Sequence, residues 1–226
     1  MGKKYFIAGT DTGIGKTLVT SAFLHRGNEL GLKTMGLKPV AAGCEKTDDG
    51  LKNEDAILLS EYASIKLAYQ QINPIALQSP LSPHIAAEKE GKRLSVDRLI
   101  GYCRGSMMTP SDLCLIEGAG GWRVPINAVE YLSGFAKALN IPVILVVGMR
   151  LGCLNHAVLT METISRDGLQ VAGWVANHVD PNMDALDENI ETLKHIFPMP
   201  CLGEIPYLED NTPEKASEYL DISKLT

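Results

Sequence analysis

Residues 9–17, with the sequence GTDTGIGKT, constrain the fold more than any other part of this chain. The apolar run at 5–8 precedes them and is suited to a buried strand, whereas 18–30 carries apolar residues at helical spacing. The glycine-rich stretch therefore lies between a strand and a helix. That context is the one in which such a stretch predicts a phosphate-binding loop.

A loop at a helix N-terminus offers unpaired backbone N–H groups and the positive end of a dipole, and glycines let an anion approach them. Lys16 is placed to reach the β- and γ-phosphates of a nucleotide, and Thr17 to offer its hydroxyl to Mg²⁺. Thr10 stands where the usual motif has its first glycine, so the loop from Gly9 is one residue longer than usual. The alternative is a glycine-rich turn with a surface lysine.

A second lysine follows an apolar segment. Residues 34–40 read as a strand, and Lys38 is near its carboxyl end, the edge at which open α/β sheets bind ligands. Lys38 is thus a candidate second phosphate contact, unless it is only a strand-end lysine whose head group reaches solvent. The polar stretch 44–52 predicts a mobile loop.

Two carboxylates are candidate magnesium ligands. Asn53 is typical of a helix N-cap, which puts Asp55 in the first turn of a helix running to about residue 62, where it is either a metal ligand or only a partner of the helix dipole. Glu117 ends the apolar strand 112–117, and four small residues, 118–121, leave space beside it. P-loop enzymes hold Mg²⁺ with a carboxylate so placed. The alternative is an acid that merely begins a turn.

Further strands are predicted at 142–148, 171–176 and 202–205, and Asn155 is the expected N-cap of a helix to residue 166. Strands alternate with helices, which predicts an α/β fold of the P-loop NTPase type, with a mostly parallel sheet and helices on both faces. The length favours a single domain over residues 1–226.

Composition excludes several classes of protein. A net charge of −6 without a basic cluster argues against a nucleic-acid partner. No apolar run approaches the ~18 residues of a membrane span and no signal peptide is apparent, so we expect no membrane partner and a cytoplasmic location. Five cysteines without metal-ligand spacing predict free thiols.

One motif resembles a catalytic motif but lacks the structural context that the chemistry needs. Residues 101–105, GYCRG, resemble a hydrolase nucleophile elbow with Cys103 at its centre. An elbow must follow a strand. Because residues 95–104 have helical periodicity instead, a hydrolase is disfavoured.

Together the motifs resemble the dethiobiotin synthetase family over nearly the whole chain. Those that carry the resemblance, in chain order, are Gly9-Thr10-Asp11-Thr12-x-x-Gly15-Lys16-Thr17, Lys38-Pro39-Val40, Glu117-Gly118-Ala119-Gly120-Gly121, Leu151-Gly152-Cys153-Leu154-Asn155-His156 and Gly173-Trp174-Val175-Ala176-Asn177. The resemblance implies an ATP- and Mg²⁺-dependent cyclo-ligase that joins 7,8-diaminopelargonate and CO₂ into dethiobiotin through a carbamate and a carbamic-phosphoric anhydride. It also implies a homodimer with the substrate site at the interface.

The resemblance assigns roles to individual residues. Lys38, Lys16 and Thr12 are the implied catalytic groups, and Thr17, Asp55 and Glu117 the implied metal ligands. The implied nucleotide contacts are Gly13, Ile14, Gly15, Lys16, Thr17, Leu18, Asp55, Glu117, Gly118, Ala119, Gly120, Asn177 and His178, with Pro206, Tyr207 and Leu208 lining the base pocket. The implied substrate contacts are Thr12, Lys38 and Ala42, with Leu151, Gly152, Cys153 and Asn155 from the partner chain.

Three positions depart from the family pattern. Gly13 stands where better-known bacterial members carry glutamate, Ala42 replaces a serine, and His178 replaces a common aspartate. These departures bear on the geometry of substrate binding and on nucleotide selectivity, because none removes a predicted metal or phosphate ligand.

Two other functions fit the same fold. A dimeric ATPase switch related to partitioning and septum-positioning proteins would carry a signature lysine where this chain has Asp11, and its C-terminal tail here is acidic. A nucleotide-binding module that has lost catalysis would lack a lysine or a metal ligand, and none is missing.

Overall fold

The computed structural model describes residues 2–225 and has a six-stranded parallel sheet at its centre. The strands of the described chain are β1 Lys3–Gly9, β2 Thr34–Leu37, β3 Val40–Ala41, β4 Glu45–Thr47, β5 Gly50–Lys52, β6 Ile75–Ala76, β7 Leu113–Gly121, β8 Val143–Met149, β9 Val171–His178 and β10 Cys201–Ile205. The helices are α1 Lys16–Glu29, α2 Glu54–Tyr62, α3 Tyr69–Ile72, α4 Pro83–Lys89, α5 Val96–Met107, α6 Ser133–Leu139, α7 Cys153–Arg166, α8 Leu186–Ile196 and α9 Pro213–Ser217, followed by a 3₁₀ turn, Ile222–Leu225.

The strand order of the central sheet is β10-β9-β8-β1-β7-β2, with every pair parallel. β1 lies in the middle of the sheet, between β8 and β7. After β1 the chain runs to β2 at the edge beyond β7, whereas β8, β9 and β10 follow on the opposite side of β1. The loop after β1 therefore leaves the carboxyl edge at the point where the strand order reverses, which is where open α/β sheets bind ligands.

Hydrophobic cores cover both faces of the sheet. Successive residues of β1 point to opposite faces, so Phe6 packs in one core and Ile7 in the other. β8 is buried along its whole length, as its uninterrupted apolar sequence predicts. The predicted fold class, a mostly parallel sheet with helices on both faces, is confirmed. The single domain predicted over residues 1–226 stays a prediction.

Most predicted elements are present within a few residues of their expected ends. Asn53 caps α2, its side chain accepting from Asp55 N–H at 3.1 Å. Cys103 lies buried in α5, and burial raises the pKa of its thiol to about 12. Since Cys103 follows no strand and its thiolate is disfavoured, the structure removes the hydrolase alternative.

Four local predictions were wrong. The strand predicted at 34–40 ends at Leu37, because the next backbone N–H, that of Lys38, donates to Ile72 O at 2.8 Å. Residues 44–52, predicted as a loop, contain the antiparallel hairpin β4–β5. The strand predicted to end at Glu117 continues to Gly121, where it pairs with β1.

The fourth wrong prediction concerns the start of α7. Asn155 is not its N-cap: the helix begins at Cys153, and Gly152 is the cap at a left-handed φ of 94°. The turn forms because Arg150 O accepts from Cys153 N–H at 3.0 Å. Asn155 thus lies in the first turn of the helix.

Candidate active site

The phosphate loop joins β1 to α1. Gly13 and Gly15 have left-handed φ angles of 70° and 79°. A Cβ on Gly15 would lie 2.2 Å from Nδ2 of Asn177, so only glycine fits there without displacing Asn177. The Asn177 side chain in turn donates to Ile14 O at 2.9 Å and is 4% exposed. A residue from β9 thus holds the loop against the start of α1, whose first turn carries no acidic residue and can receive an anion.

Lys16 is buried at the base of this loop. Its ammonium donates to Asp11 O at 2.9 Å and the residue is 7% exposed. Burial and, to a smaller extent, the nearby charge of Lys38 lower the pKa of Lys16 to about 8, against the opposing effect of Glu117. The carboxylate favours the charged ammonium, and a bound phosphate would do the same.

A second buried lysine lies between two carboxylates. Nζ of Lys38 is 2.7 Å from Oδ2 of Asp55, 2.6 Å from Oε1 of Glu117 and 3.2 Å from Gly118 O. Burial opposes the charge of Lys38, but the two carboxylates outweigh it and raise the pKa of the ammonium. Burial likewise opposes ionisation of Asp55, and Lys38 outweighs it, so the pKa of Asp55 is lowered. These pKa shifts favour the charged forms of Lys38 and Asp55.

The hydroxyl of Thr17 completes what we call the Lys38 cluster, the side chains of Thr17, Lys38, Asp55 and Glu117. Oγ1 of Thr17 lies 2.8 Å from Oδ1 of Asp55 and 2.9 Å from Oε1 of Glu117. Its single hydrogen serves one carboxylate at a time. The sequence-predicted ligands from α1, α2 and β7 are thus brought together beside the phosphate loop.

The Lys38 cluster has the chemistry of a magnesium site. Oε2 of Glu117 is buried and has no hydrogen-bond partner among residues 2–225. An unpaired buried carboxylate oxygen is costly, and a cation would satisfy it. The described residues contain no cluster of three or more His, Cys, Asp or Glu side chains placed to bind a metal ion. A metal site here therefore depends on the two carboxylates and the Thr17 hydroxyl. Two carboxylates and a hydroxyl suit Mg²⁺, which takes oxygen ligands and keeps positions for water and phosphate.

Thr12 lies beside the small residues that follow Glu117. A Cβ on Gly120, which has a φ of 61°, would be 3.3 Å from Oγ1 of Thr12. Gly118 contributes its carbonyl to Lys38 at 3.2 Å. The structure therefore places the loop's middle next to the end of β7, near the predicted phosphate and metal ligands.

The residues predicted to line the base pocket lie at the ends of β9 and β10 or directly after them. The rings of His178 and Tyr207 meet edge to face, with centroids 6.2 Å apart, and Tyr207 is 48% exposed. Nε2 of His178 is buried without a partner in the described residues. Because the Asn177 side chain donates to Ile14 O, these residues adjoin the phosphate loop.

The segment predicted to hold the substrate carboxylate lies on the surface. Leu151 is 96% exposed, and Asn155 is exposed in the first turn of α7. Cys153 is buried and its backbone N–H already donates to Arg150 O, so it is not a free donor. Ala42 follows β3, and its carbonyl accepts from Asn53 Nδ2 at 3.4 Å.

Two charged residues at this edge were not selected by sequence reasoning. The guanidinium of Arg150, directly after β8, donates to Oδ2 of Asp11 in the phosphate loop. The available signal was a charged residue at the carboxyl end of each of two strands. It could not be used, because the sequence does not say that β1 and β8 are neighbours.

Comparison with known proteins gives close relatives over the full length. The profile of a family described as "AAA domain" matches residues 3–215. ATP-dependent dethiobiotin synthetase of Cellvibrio japonicus is 51% identical over 223 residues, which are 99% of this chain and 97% of that protein. The enzymes of Pseudomonas aeruginosa and Tolumonas auensis are 49% and 45% identical, covering 98% and 100% of this chain and 97% and 100% of theirs.

Solved structures share the fold at low identity. The septum site-determining protein MinD of Pyrococcus horikoshii, complexed with Mg-ADP, has a TM-score of 0.53 at 18% identity, covering 99% of this chain and 89% of that one. A ParA family ATPase of Chlorobium tepidum has a TM-score of 0.54 at 10% identity, covering 100% and 93%. These neighbours support the P-loop NTPase fold and carry no argument about activity. Among residues 2–225, no helix has the length and apolar character needed to cross a membrane.

Proposed function

Because the chain belongs to the ATP-dependent dethiobiotin synthetase family, we propose that this ligase closes the urea ring of dethiobiotin from 7,8-diaminopelargonate and CO₂. The observation that carries the proposal is the Lys38 cluster beside the phosphate loop, in which Lys38 and Glu117 are buried. Phosphoryl transfer needs positioning and neutralisation of charge more than covalent chemistry from the protein, and this site supplies both.

The proposed reaction has three steps. One amine of the substrate adds to CO₂, loses a proton and becomes a carbamate. A carbamate oxygen then attacks the γ-phosphorus of ATP, the bond to the bridging oxygen breaks, and ADP leaves. Finally the second amine attacks the carbonyl carbon of the resulting anhydride, expels inorganic phosphate and loses a proton. No side chain forms a covalent bond.

The chain's own groups neutralise charge during the transfer. The first-turn N–H groups of α1 and the ammonium of Lys16 bind the phosphate chain, which carries developing negative charge. Lys38 shares Oε1 of Glu117 with Thr17, and its ammonium would contact the transferring phosphoryl group. Thr12 lies near the end of β7, where the carbamate would sit. Asn177 and the residues after β10 bind the base.

Thr17, Asp55 and Glu117 would hold Mg²⁺, and the unpaired Oε2 of Glu117 supports their fit to it. When bound, the ion supplies charge neutralisation at the phosphate oxygens. Lys38 would then share its carboxylate partners with the ion, and its three N–H donors would become more available to the phosphoryl group.

A second copy of the chain is proposed to complete the substrate site. Leu151, in the turn before α7, is 96% exposed, and Leu159, within α7, is 54% exposed. A homodimer interface over α7 would bury them and bring the segment that would hold the substrate carboxylate to the partner's site. We place the reaction in the cytoplasm, where ATP is made available to biosynthetic ligases.

The test is an assay with protein, 7,8-diaminopelargonate, bicarbonate and MgATP, following phosphate and dethiobiotin together. Phosphate release that requires the diamine, with dethiobiotin formed in equal amount, supports the proposal. Phosphate release that is independent of the diamine would favour an ATPase switch. Light scattering checks the dimer, and Leu159→Glu is expected to shift the mass towards that of one chain.

A further inference from the structure

An ion pair outside the proposed chemistry joins the loops that follow β1 and β8. The guanidinium of Arg150 donates to Oδ2 of Asp11. β1 and β8 are parallel neighbours, and Thr10 N–H donates to Val146 O at 3.1 Å, so the two loops leave the sheet side by side. The pair bridges two segments that are far apart in sequence.

Asp11 connects this ion pair to the phosphate-binding residues of the candidate active site. Its backbone carbonyl accepts from the ammonium of Lys16 at 2.9 Å, and its Oδ1 accepts from Thr12 N–H at 2.7 Å. A change in the position of Asp11 therefore moves both loop residues that the proposed function assigns to the phosphoryl group and the acceptor.

Arg150 reaches the other segment through its backbone. Its carbonyl accepts from Cys153 N–H at 3.0 Å and so forms the turn that starts α7. That turn carries Leu151 and Gly152, which are proposed to hold the substrate carboxylate in the partner's site. One residue thus contacts the phosphate loop of its own site by its side chain and, by its main chain, the segment that serves the partner's site.

The pair contributes little to folding. Its side chains are 40% and 44% exposed, and solvent screening makes exposed ion pairs of this kind contribute little to stability. We propose that Arg150 and Asp11 are positioning residues, which hold the phosphate loop of one site in register with the segment that serves the partner's site, so that acceptor and phosphoryl donor meet in both sites of the dimer. This inference rests on the proposed function.

The kinetic test uses Arg150→Met, Asp11→Asn and the double variant. The amide of Asp11→Asn keeps an acceptor for Thr12 N–H and removes the charge. Arg150→Met is expected to lower kcat/KM for the diamine by about 10- to 100-fold, because small misplacements of reacting groups have effects of that order. The dissociation constant for MgADP should change less than about threefold, since the glycines and α1 that form the cradle remain. The double variant should be no worse than the more impaired single variant, as expected for two residues acting as one unit.

A conservative variant and a matched control separate positioning from loss of a surface charge. Arg150→Lys keeps a cation and should recover most of the activity. Arg26→Met removes an arginine that is 42% exposed and lies 2.8 Å from a glutamate 46% exposed, and it should change neither kcat/KM nor Tm. Additive losses in the double variant, normal kcat/KM in Arg150→Met, or a loss of MgADP affinity as large as the loss of kcat/KM would each overturn the inference.

Amide hydrogen exchange gives a readout that needs no turnover. Arg150→Met should speed exchange at residues 10–12, and Asp11→Asn should speed exchange at residues 151–155, while Arg26→Met affects neither. Unchanged exchange in both segments would overturn the inference even if the protein catalyses another reaction. A wild-type protein without diamine-dependent phosphate release would instead overturn the proposed function, and the exchange data would still decide on the ion pair.

Discussion

The ammonium of Lys38 lies 2.6 Å from Oε1 of Glu117, and both side chains are almost completely removed from solvent, at 4% and 0% exposure. A buried ion pair loses the hydration of both partners, so removing one partner leaves an unpaired charge and is strongly destabilising. Asp55 adds a second carboxylate to the same ammonium. An arrangement this unfavourable to assemble is typical of a functional site, and several of its consequences can be measured.

Lys38→Ala is expected to lower turnover by on the order of 10²–10³, the usual effect of deleting one group that stabilises developing charge. It should also lower the free energy of unfolding by about 3–5 kcal/mol, because the two carboxylates lose their buried partner. Phosphate release should be measured under conditions in which circular dichroism shows that the variant is folded. Lys52→Ala, which removes a lysine paired with the exposed Asp49, is the control. Near-normal turnover in folded Lys38→Ala would contradict the role given to Lys38.

Glu117→Gln should weaken magnesium binding at least about tenfold, because the substitution removes a ligand charge while keeping the shape of the side chain. Lys38 keeps Asp55 as a partner, so the variant should stay folded. The measurement is a magnesium titration of ADP binding by calorimetry. Glu54→Gln neutralises an exposed acid in the first turn of α2 and should leave the titration unchanged. If both variants titrate like the wild type, Glu117 is not a metal ligand.

Gly15→Ala and Gly13→Ala separate backbone strain from steric fit. Both glycines have a positive φ, so an alanine at either position is strained by about 1–2 kcal/mol. Only at Gly15 would the new methyl group meet Asn177, whereas at Gly13 the space is open. We expect Gly15→Ala to weaken ATP binding by on the order of 10²-fold, about 2.7 kcal/mol, and Gly13→Ala by a few-fold. Equal effects in calorimetry would show that Asn177 does not hold the loop.

Asp167 gives a pH dependence that is independent of the active site. Burial opposes its ionisation, but hydrogen bonds from Arg123, Lys137 and Trp122 outweigh it, so the pKa of Asp167 is lowered. A lowered folded-state pKa means that this stabilisation is fully present above the unfolded pKa of about 4 and is lost as the pH falls through the folded pKa. Asp167→Asn should therefore lower stability by about 1–3 kcal/mol at pH 7.

Thermal unfolding at pH 7 and below pH 4 checks this prediction. The difference in Tm between wild type and Asp167→Asn should be several degrees at pH 7 and should shrink at the lower pH, where Asp167 of the wild type becomes protonated. Asp210→Asn removes an exposed carboxylate, also paired with a lysine, and should have little effect at either pH. A difference in Tm that does not depend on pH would mean that packing, not charge, makes Asp167 matter.

The sequence by itself determined the fold class and the candidate phosphate and metal ligands, because these follow from local patterns. The apolar run of β8, the glycines before Lys16 and the acid at the end of an apolar stretch each specify their conformation through near neighbours. Family membership followed from the order of the same motifs. These features need no knowledge of which strands are adjacent.

Only the tertiary structure decided which residues meet. The strand order placed β8 beside β1, so that Arg150 reaches Asp11, and brought Asn177 against Ile14. It also showed that Lys38 contacts both carboxylates, and that Gly152 rather than Asn155 caps α7. Strand order and side-chain direction depend on contacts between residues more than 100 positions apart in the chain, such as Asp11 and Arg150, and such contacts leave no periodic trace in the sequence.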